Sequence, residues 1–244
     1  MWQDESGGFM CCTIELLGIF KKMSEHVESY LSEVQSRATL QQSDREKLRL
    51  AVCLSEEQLR KMDSTLKRTT AFMKKLKNVA AAQESTILAD LDKINLSKFV
   101  EEMANSIADA KIKTSDIATV VNICVQLSSL YADFPSILLA ELKKILPIRR
   151  SDKITNPSKL RIDLRLLAEL CLHGVFAKEG VQLLGSTLSY ITHTDKTDHY
   201  NVPILLPLCK SLSADIFGVH PYSIQQVRFL FFRIVFNILQ CLQY

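Results

Sequence analysis

Apolar side chains recur three and four residues apart along almost the whole chain, and no convincing run of alternating β-branched residues is bounded by turn pairs. The pattern predicts helices. The clearest covers Lys159 to Leu170, where Leu160, Leu164, Leu167 and Cys171 stack on one face. Lys159 and Asp163, like Arg165 and Glu169, set opposite charges one turn apart. Upstream, Asn156 supplies an N-cap acceptor, and Pro157 takes the first helical position, where its missing N–H is not needed. Ser24 to Leu54 reads as a long, charge-rich helix with a break expected around Ser43 and Asp44. Ser55 and Gln58 then form a capping-box pattern opening one helix that carries Leu59, Met62, Leu66, Met73 and Leu76. After a weaker pattern from Glu84 to Ile94, helical patterns begin near Ser97, Ser115, Phe134, Pro157, Lys178 and Asn201.

Starts about 20 residues apart give a helix-pair period of about 40, the length of HEAT and armadillo repeats. The expected apolar faces are Phe99, Met103 and Ile107; Ile117, Val120, Val121, Cys124 and Leu127; Leu138, Leu142 and Ile145; and Val181, Leu184, Leu188 and Ile191. The fold class is all-α, and the pattern alone fits a solenoid of antiparallel helix pairs or an ordinary helix bundle. With 47% apolar residues in 244, one substantial core or two small ones can form, and seven Gly and six Pro argue against a loop-rich chain. Pro203 and Pro207 lie four apart, so the last helix is expected either to start late, near Pro207, or to kink.

Charge is localised. Arg60, Lys61, Lys67, Arg68, Lys74, Lys75 and Lys77 fall in one predicted helix with a single acid, whereas the whole chain is only +3. Treated as heptads, Arg60, Lys67 and Lys74 repeat at one outward position, and Lys61, Arg68 and Lys75 repeat at the next. Such a stripe suits RNA phosphates or an acidic protein surface, and a solvated lysine-rich face is the plain alternative. A second group, Lys143, Lys144, Arg149, Arg150 and Lys153, spans a helix end and its loop. Cations there also complement the helix C-terminus, and no aromatic cluster nearby suggests base stacking.

Little else carries chemistry. The seven cysteines form no C-x-x-C pair and read as reduced core residues of a cytosolic or nuclear protein. His193, Asp195, Asp198 and His199 read as a polar inter-helix loop in preference to a metal or acid–base site. Cys171 and His173 have the residue types of a nucleophile and base, but Cys171 continues the leucine stripe and reads as packed. Phosphate-loop, dinucleotide, G-x-S-x-G and H-E-x-x-H motifs are missing, so no enzyme, cofactor or metal site is expected. The apolar run Phe9 to Phe20 follows acids where a signal peptide would have basic residues. The run Phe229 to Leu242 falls short of the roughly 20 residues of a spanning helix, so no membrane partner is expected.

Five blocks in order carry a family likeness: Thr70 to Lys77, Asn95 to Phe99, Ala110 to Asp116, Tyr131 to Pro135 and Lys159 to Leu170. Together they resemble the regulator of nonsense transcripts 2 family, in the first of its domains related to the middle domain of initiation factor 4G. The likeness runs from about Glu56 to Gly218. It implies a right-handed armadillo/HEAT-type solenoid and a non-enzymatic scaffold in nonsense-mediated mRNA decay. It further implies RNA contact, an ATP-dependent RNA helicase and an exon-junction-linked adaptor as partners, mostly through regions outside the match, and a cytoplasmic to perinuclear location. RNA or acidic-partner contact is carried to the seven cations above. A translation-initiation scaffold that grips an RNA helicase is the second reading. The expected division is a charged helical extension over 1–54, a repeat domain over 55–218 and a divergent apolar tail over 219–244. Family members are far longer, so a short form or an incomplete reading of the gene is expected.

Overall fold

The computed structural model describes residues 6–149, 151–222 and 224–225, with side chains from residue 25 on. Arg150 and the run Phe229 to Leu242 lie outside them, as do the side chains of Phe9 to Phe20 and of Cys11, Cys12 and Cys241. Ten α-helices are described: α1 Ser6–Leu50, α2 Glu56–Lys61, α3 Leu66–Lys77, α4 Glu84–Leu91, α5 Val100–Ala108, α6 Ile117–Leu130, α7 Phe134–Ile145, α8 Pro157–Leu172, α9 Lys178–His193 and α10 Val202–Phe217. Short 3₁₀ turns lead into α4, α5 and α6. Two compact units are distinguished, one of residues 1–39 and 212–244, the other of residues 40–211.

The larger unit is the solenoid. Helices α3, α5 and α7 pack in succession as one layer, and α4, α6 and α8 as the other, with α9 against α8. From α3 to α6 each helix therefore rests on the one two places ahead, as in helical-pair repeats. The seam between the layers is filled by Phe72, Leu76, Ile87, Met103, Leu127 and Phe134, all nearly inaccessible to solvent. Helix α8 is buried on two sides, with Leu164 and Leu167 on the expected stripe and Leu166 and Leu170 beside it. Asn156 caps it as its sequence requires, accepting from the Lys159 amide at 3.0 Å.

Polar groups, most of them at least half-buried, tie neighbouring elements together. Glu84 on α4 accepts from Thr119 at 2.7 Å and Asn122 at 2.6 Å on α6. The Leu96 amide donates to the Tyr131 hydroxyl at 3.1 Å. At the end of α1, His173 Nδ1 lies 2.6 Å from Asp44 Oδ2, and Arg45 Nε donates to the Leu172 carbonyl at 2.6 Å. Gly174 follows α8 at φ +81°, where an added Cβ would sit 2.7 Å from Arg45 Cγ, so both backbone and space require glycine.

Several expectations are corrected. Helix α1 runs through Ser43 and Asp44 unbroken, because neither residue removes a backbone donor, and Asp44 finds its partner in His173. The helix expected from Leu59 to Lys77 is two helices. The Ser55 capping box forms as read, but α2 stops at Lys61. Asp63 is drawn out to exchange main-chain bonds with Lys93 and Asn95, at 2.9 Å each. Ile145 is 37% exposed and Val181 58% exposed, so neither joins its predicted apolar face; α9 instead turns Leu183, Leu184, Thr187 and Ile191 inward. Helix α10 starts before Pro207: Pro203 sits in its first turn, and the helix continues through Pro207, which forfeits one backbone bond.

In the smaller unit, Arg37 Nε contacts Asp215 Oδ2 at 3.2 Å. The Tyr30 ring meets His220 edge-on, centroids 5.8 Å apart, and burial raises the Tyr30 hydroxyl above its ordinary range.

Candidate functional site

The basic stripe is rebuilt by the fold. Asp63, fixed by its bridge to the segment before α5, accepts from the Thr65 amide at 2.8 Å and from the Thr65 hydroxyl, and this turn launches α3. These two bonds, with Arg68 nearby, hold the Asp63 carboxyl below its usual range. Helix α3 buries Thr69, Phe72, Met73 and Leu76. At 100° per residue, Lys67, Ala71 and Lys74 lie on the opposite side, and all three are exposed. The small Ala71 side chain leaves a shallow depression between the two lysines, edged by Leu66 and Thr70. Leu66 itself is 69% exposed although it falls in the predicted seam.

The seven predicted cations thus divide. Arg60 and Lys61 lie on α2, off the helix that carries the others, and Arg60 meets Glu56 at 3.5 Å with both side chains solvated. Arg68 is held by Asp63 at 2.8 Å, and Lys75, half-buried, by Asp90 on α4 at 2.7 Å. Lys61, Lys67, Lys74 and Lys77 are exposed and have no carboxylate partner among the described residues. An unneutralised pair two turns apart on a face that no described element covers is what an anionic surface would meet first. Sequence spacing put Lys67 and Lys74 on the outward side of the helix, and both are exposed there. It also assigned Lys75 outward, because nothing local signals that Asp90, fifteen residues on, will return beside it.

The second basic group surrounds a cavity of about 880 Å³ bounded by the end of α7, residues 146–156 and the start of α8. Lys143, Lys144, Arg149 and Lys153 line it, with Lys144 paired to Glu141 at 2.6 Å. These cations are visible in the sequence, whereas the cavity they line is not.

The other candidates resolve into structural contacts. His193 Nδ1 donates to the Ser189 carbonyl at 2.8 Å, and Asp195 accepts from the Asn201 amide at 2.5 Å, fixing the turn into α10. His199 adopts φ +58° in that turn. Among the described residues no three His, Cys, Asp or Glu side chains gather as a metal site. His173 faces Asp44, and burial pushes the Cys171 thiol up to about 12, far from the thiolate a nucleophile needs. Among the described residues, no helix is long and apolar enough to cross a membrane.

Comparison with known proteins gives a consistent picture. No family model matches the chain. It is 38% identical over 166 residues to the regulator of nonsense transcripts 2 of Homo sapiens, covering 68% of this chain and 13% of that protein's length. The crystal structure of the first MIF4G domain of the human nonsense mediated decay factor UPF2 superposes with a TM-score of 0.80 at 34% identity, over 86% of this chain and 69% of the other. The N-terminal mIF4G domain of Saccharomyces cerevisiae Upf2, at 21% identity and TM-score 0.58, covers 84% of this chain and 76% of its own and shares the fold.

Proposed function

This chain belongs to the regulator of nonsense transcripts 2 family as a first MIF4G domain, and from that premise we propose that it is a non-enzymatic scaffold module of nonsense-mediated mRNA decay. The observation that carries the reading is the likeness in both sequence and fold to a first MIF4G domain, with a TM-score of 0.80 at 34% identity over 86% of this chain. A module of this kind works by presenting surfaces. Its outward α3 face, where Lys67 and Lys74 are exposed without a carboxylate partner, would meet the phosphates of an RNA strand through counterion release. Lys61 and Lys77 extend the same positive field at either end. Arg60, Arg68 and Lys75 contribute less, since a carboxylate already faces each. The helicase and the exon-junction adaptor of the pathway would be its protein partners in the complete assembly, and its location cytoplasmic to perinuclear.

A domain exchange tests the reading. The human relative, carrying residues 40–222 of this chain in place of its own first MIF4G domain, should restore decay of a premature-stop reporter in cells depleted of that relative. A well-expressed chimera that leaves the reporter stable would overturn it. Recovery of translation-initiation factors in place of decay factors on the chimera would favour the initiation-scaffold alternative.

A further inference from the structure

The cavity between α7 and α8 has a rigid frame. Asp152 Oδ2 accepts from the backbone amides of Ile148 and Arg149, at 2.8 Å each, folding residues 148–152 into a closed turn. From outside, the Tyr190 hydroxyl of α9 donates to the Asp152 carbonyl at 2.5 Å. The opposite wall is set by Lys159, whose ammonium donates to the Ala108 carbonyl at 2.9 Å and to Asp163 at 3.1 Å. Both acids lining the cavity are therefore occupied internally.

What remains is a rim of net positive charge, offset in part by Asp152 beside Arg149, over an aliphatic floor. Lys143, Arg149 and Lys153 are exposed, line the cavity and have no carboxylate partner among the described residues. Beneath them lie Leu146 and Leu160, both buried, with Ile148 and Ile154 half-buried and Ile145 exposed at one edge. Helix α8 begins in the same wall, and its N-terminus adds partial positive charge. Among the described residues no aromatic side chain lines the cavity, so none of them would stack a base there. An aliphatic floor gives a sugar-phosphate chain little to bind, whereas it buries a leucine-sized side chain well.

We propose that this cavity is a docking site for an acidic peptide segment, with one aliphatic anchor on the Leu146, Ile148 and Ile154 floor and flanking carboxylates on Lys143, Arg149 and Lys153. The charge pattern matches that occupant: Asp163 is paired with Lys159 and Asp152 is tied up by backbone amides, so the three rim cations outnumber the one carboxylate, Asp152, that still acts on them. Steering by the rim would speed encounter, and the buried anchor would set the residence time. The site is separate from the α3 face, so either can fail alone.

The test uses the full chain on an array of 12-residue peptides that vary acid number and anchor, followed by fluorescence anisotropy with the best-retained labelled peptide. Peptides with two or more acids around Leu or Ile should be retained. The triple variant Lys143→Glu, Arg149→Glu, Lys153→Glu should bind at least tenfold more weakly, and Ile154→Ala should bind more weakly without losing salt dependence. Lys143→Gln with Lys153→Gln gives a milder perturbation should the reversals disturb folding. Lys67→Glu with Lys74→Glu should leave peptide binding unchanged. Failure to retain any acidic peptide, or retention unaffected by the rim variants, would overturn the proposal. So would loss of oligo-uridine binding in the rim variants without any peptide effect, which would assign the cavity to RNA.

Discussion

Replacing Lys67 and Lys74 together by Glu isolates the outward α3 face from everything that holds the domain together. The two positions are seven residues apart, about 10.5 Å along the helix axis, and both side chains are exposed. Each ammonium that neutralises a single-strand phosphate contributes about 0.7 to the slope of log affinity against log salt. Removing two should flatten the slope by about 1.4, so between about 50 and 200 mM salt the wild type loses about sevenfold more affinity than the variant. Anisotropy of a labelled oligo-uridine across that range reads this directly. Thermal stability should stay within about 0.5 kcal/mol, as for surface changes remote from packing. The contrast is Lys75→Glu, which removes a half-exposed ion pair and sets a second carboxylate against Asp90. A loss of up to about 1 kcal/mol would lower Tm by about 2–4 °C in a unit of this size. A folded Lys67, Lys74 double variant with unchanged slope and affinity would refute the RNA reading and leave the face to solvent or to a protein.

Leu164→Ala, in the fully buried stripe of α8, should destabilise the solenoid by about 2–5 kcal/mol, read as a lower urea midpoint with an unchanged m-value. Asp163 gives a pH signature: burial raises its carboxyl above the usual 3.8, with Lys159 opposing, so its ionised form weakens the fold above the raised value. Stability should therefore rise as pH falls through that value towards 3.8, a gain that Asp163→Asn abolishes in urea melts. Asp63, held below 3.8 by the Thr65 hydroxyl and amide, and Asp152, held there by the Arg149 and Ile148 amides, lose their contribution only at lower pH, so the two windows separate. Finally, these 244 residues expressed alone in cells depleted of the full-length factor should leave premature-stop reporters stable, because a lone module lacks the linkage that raises effective concentration; restored reporter decay would contradict this.

Much of the fold was legible because its signals are local. The Ser55 capping box, the Asn156 and Pro157 start of α8 and the stripe of Leu160, Leu164 and Leu167 depend on residues within a turn or two, and each stands where the pattern put it. Five short blocks in order also pointed to the family. What the sequence could not specify lies in partners far apart along the chain. Asp63 leaves a helical pattern because the backbone at Lys93 and Asn95 offers it two hydrogen bonds. Lys75 turns from an outward cation into a tie because α4 brings Asp90 beside it, and Asp44 stays helical with His173 as its partner. Thr187 goes inward and Val181 outward because the register of α9 on α8 is chosen by the fit of a whole face, not by the hydrophobicity of one residue. The cavity beside α7 is of the same kind: its cations are visible in the sequence, but its floor and frame exist only once α8 and α9 have closed over residues 146–156.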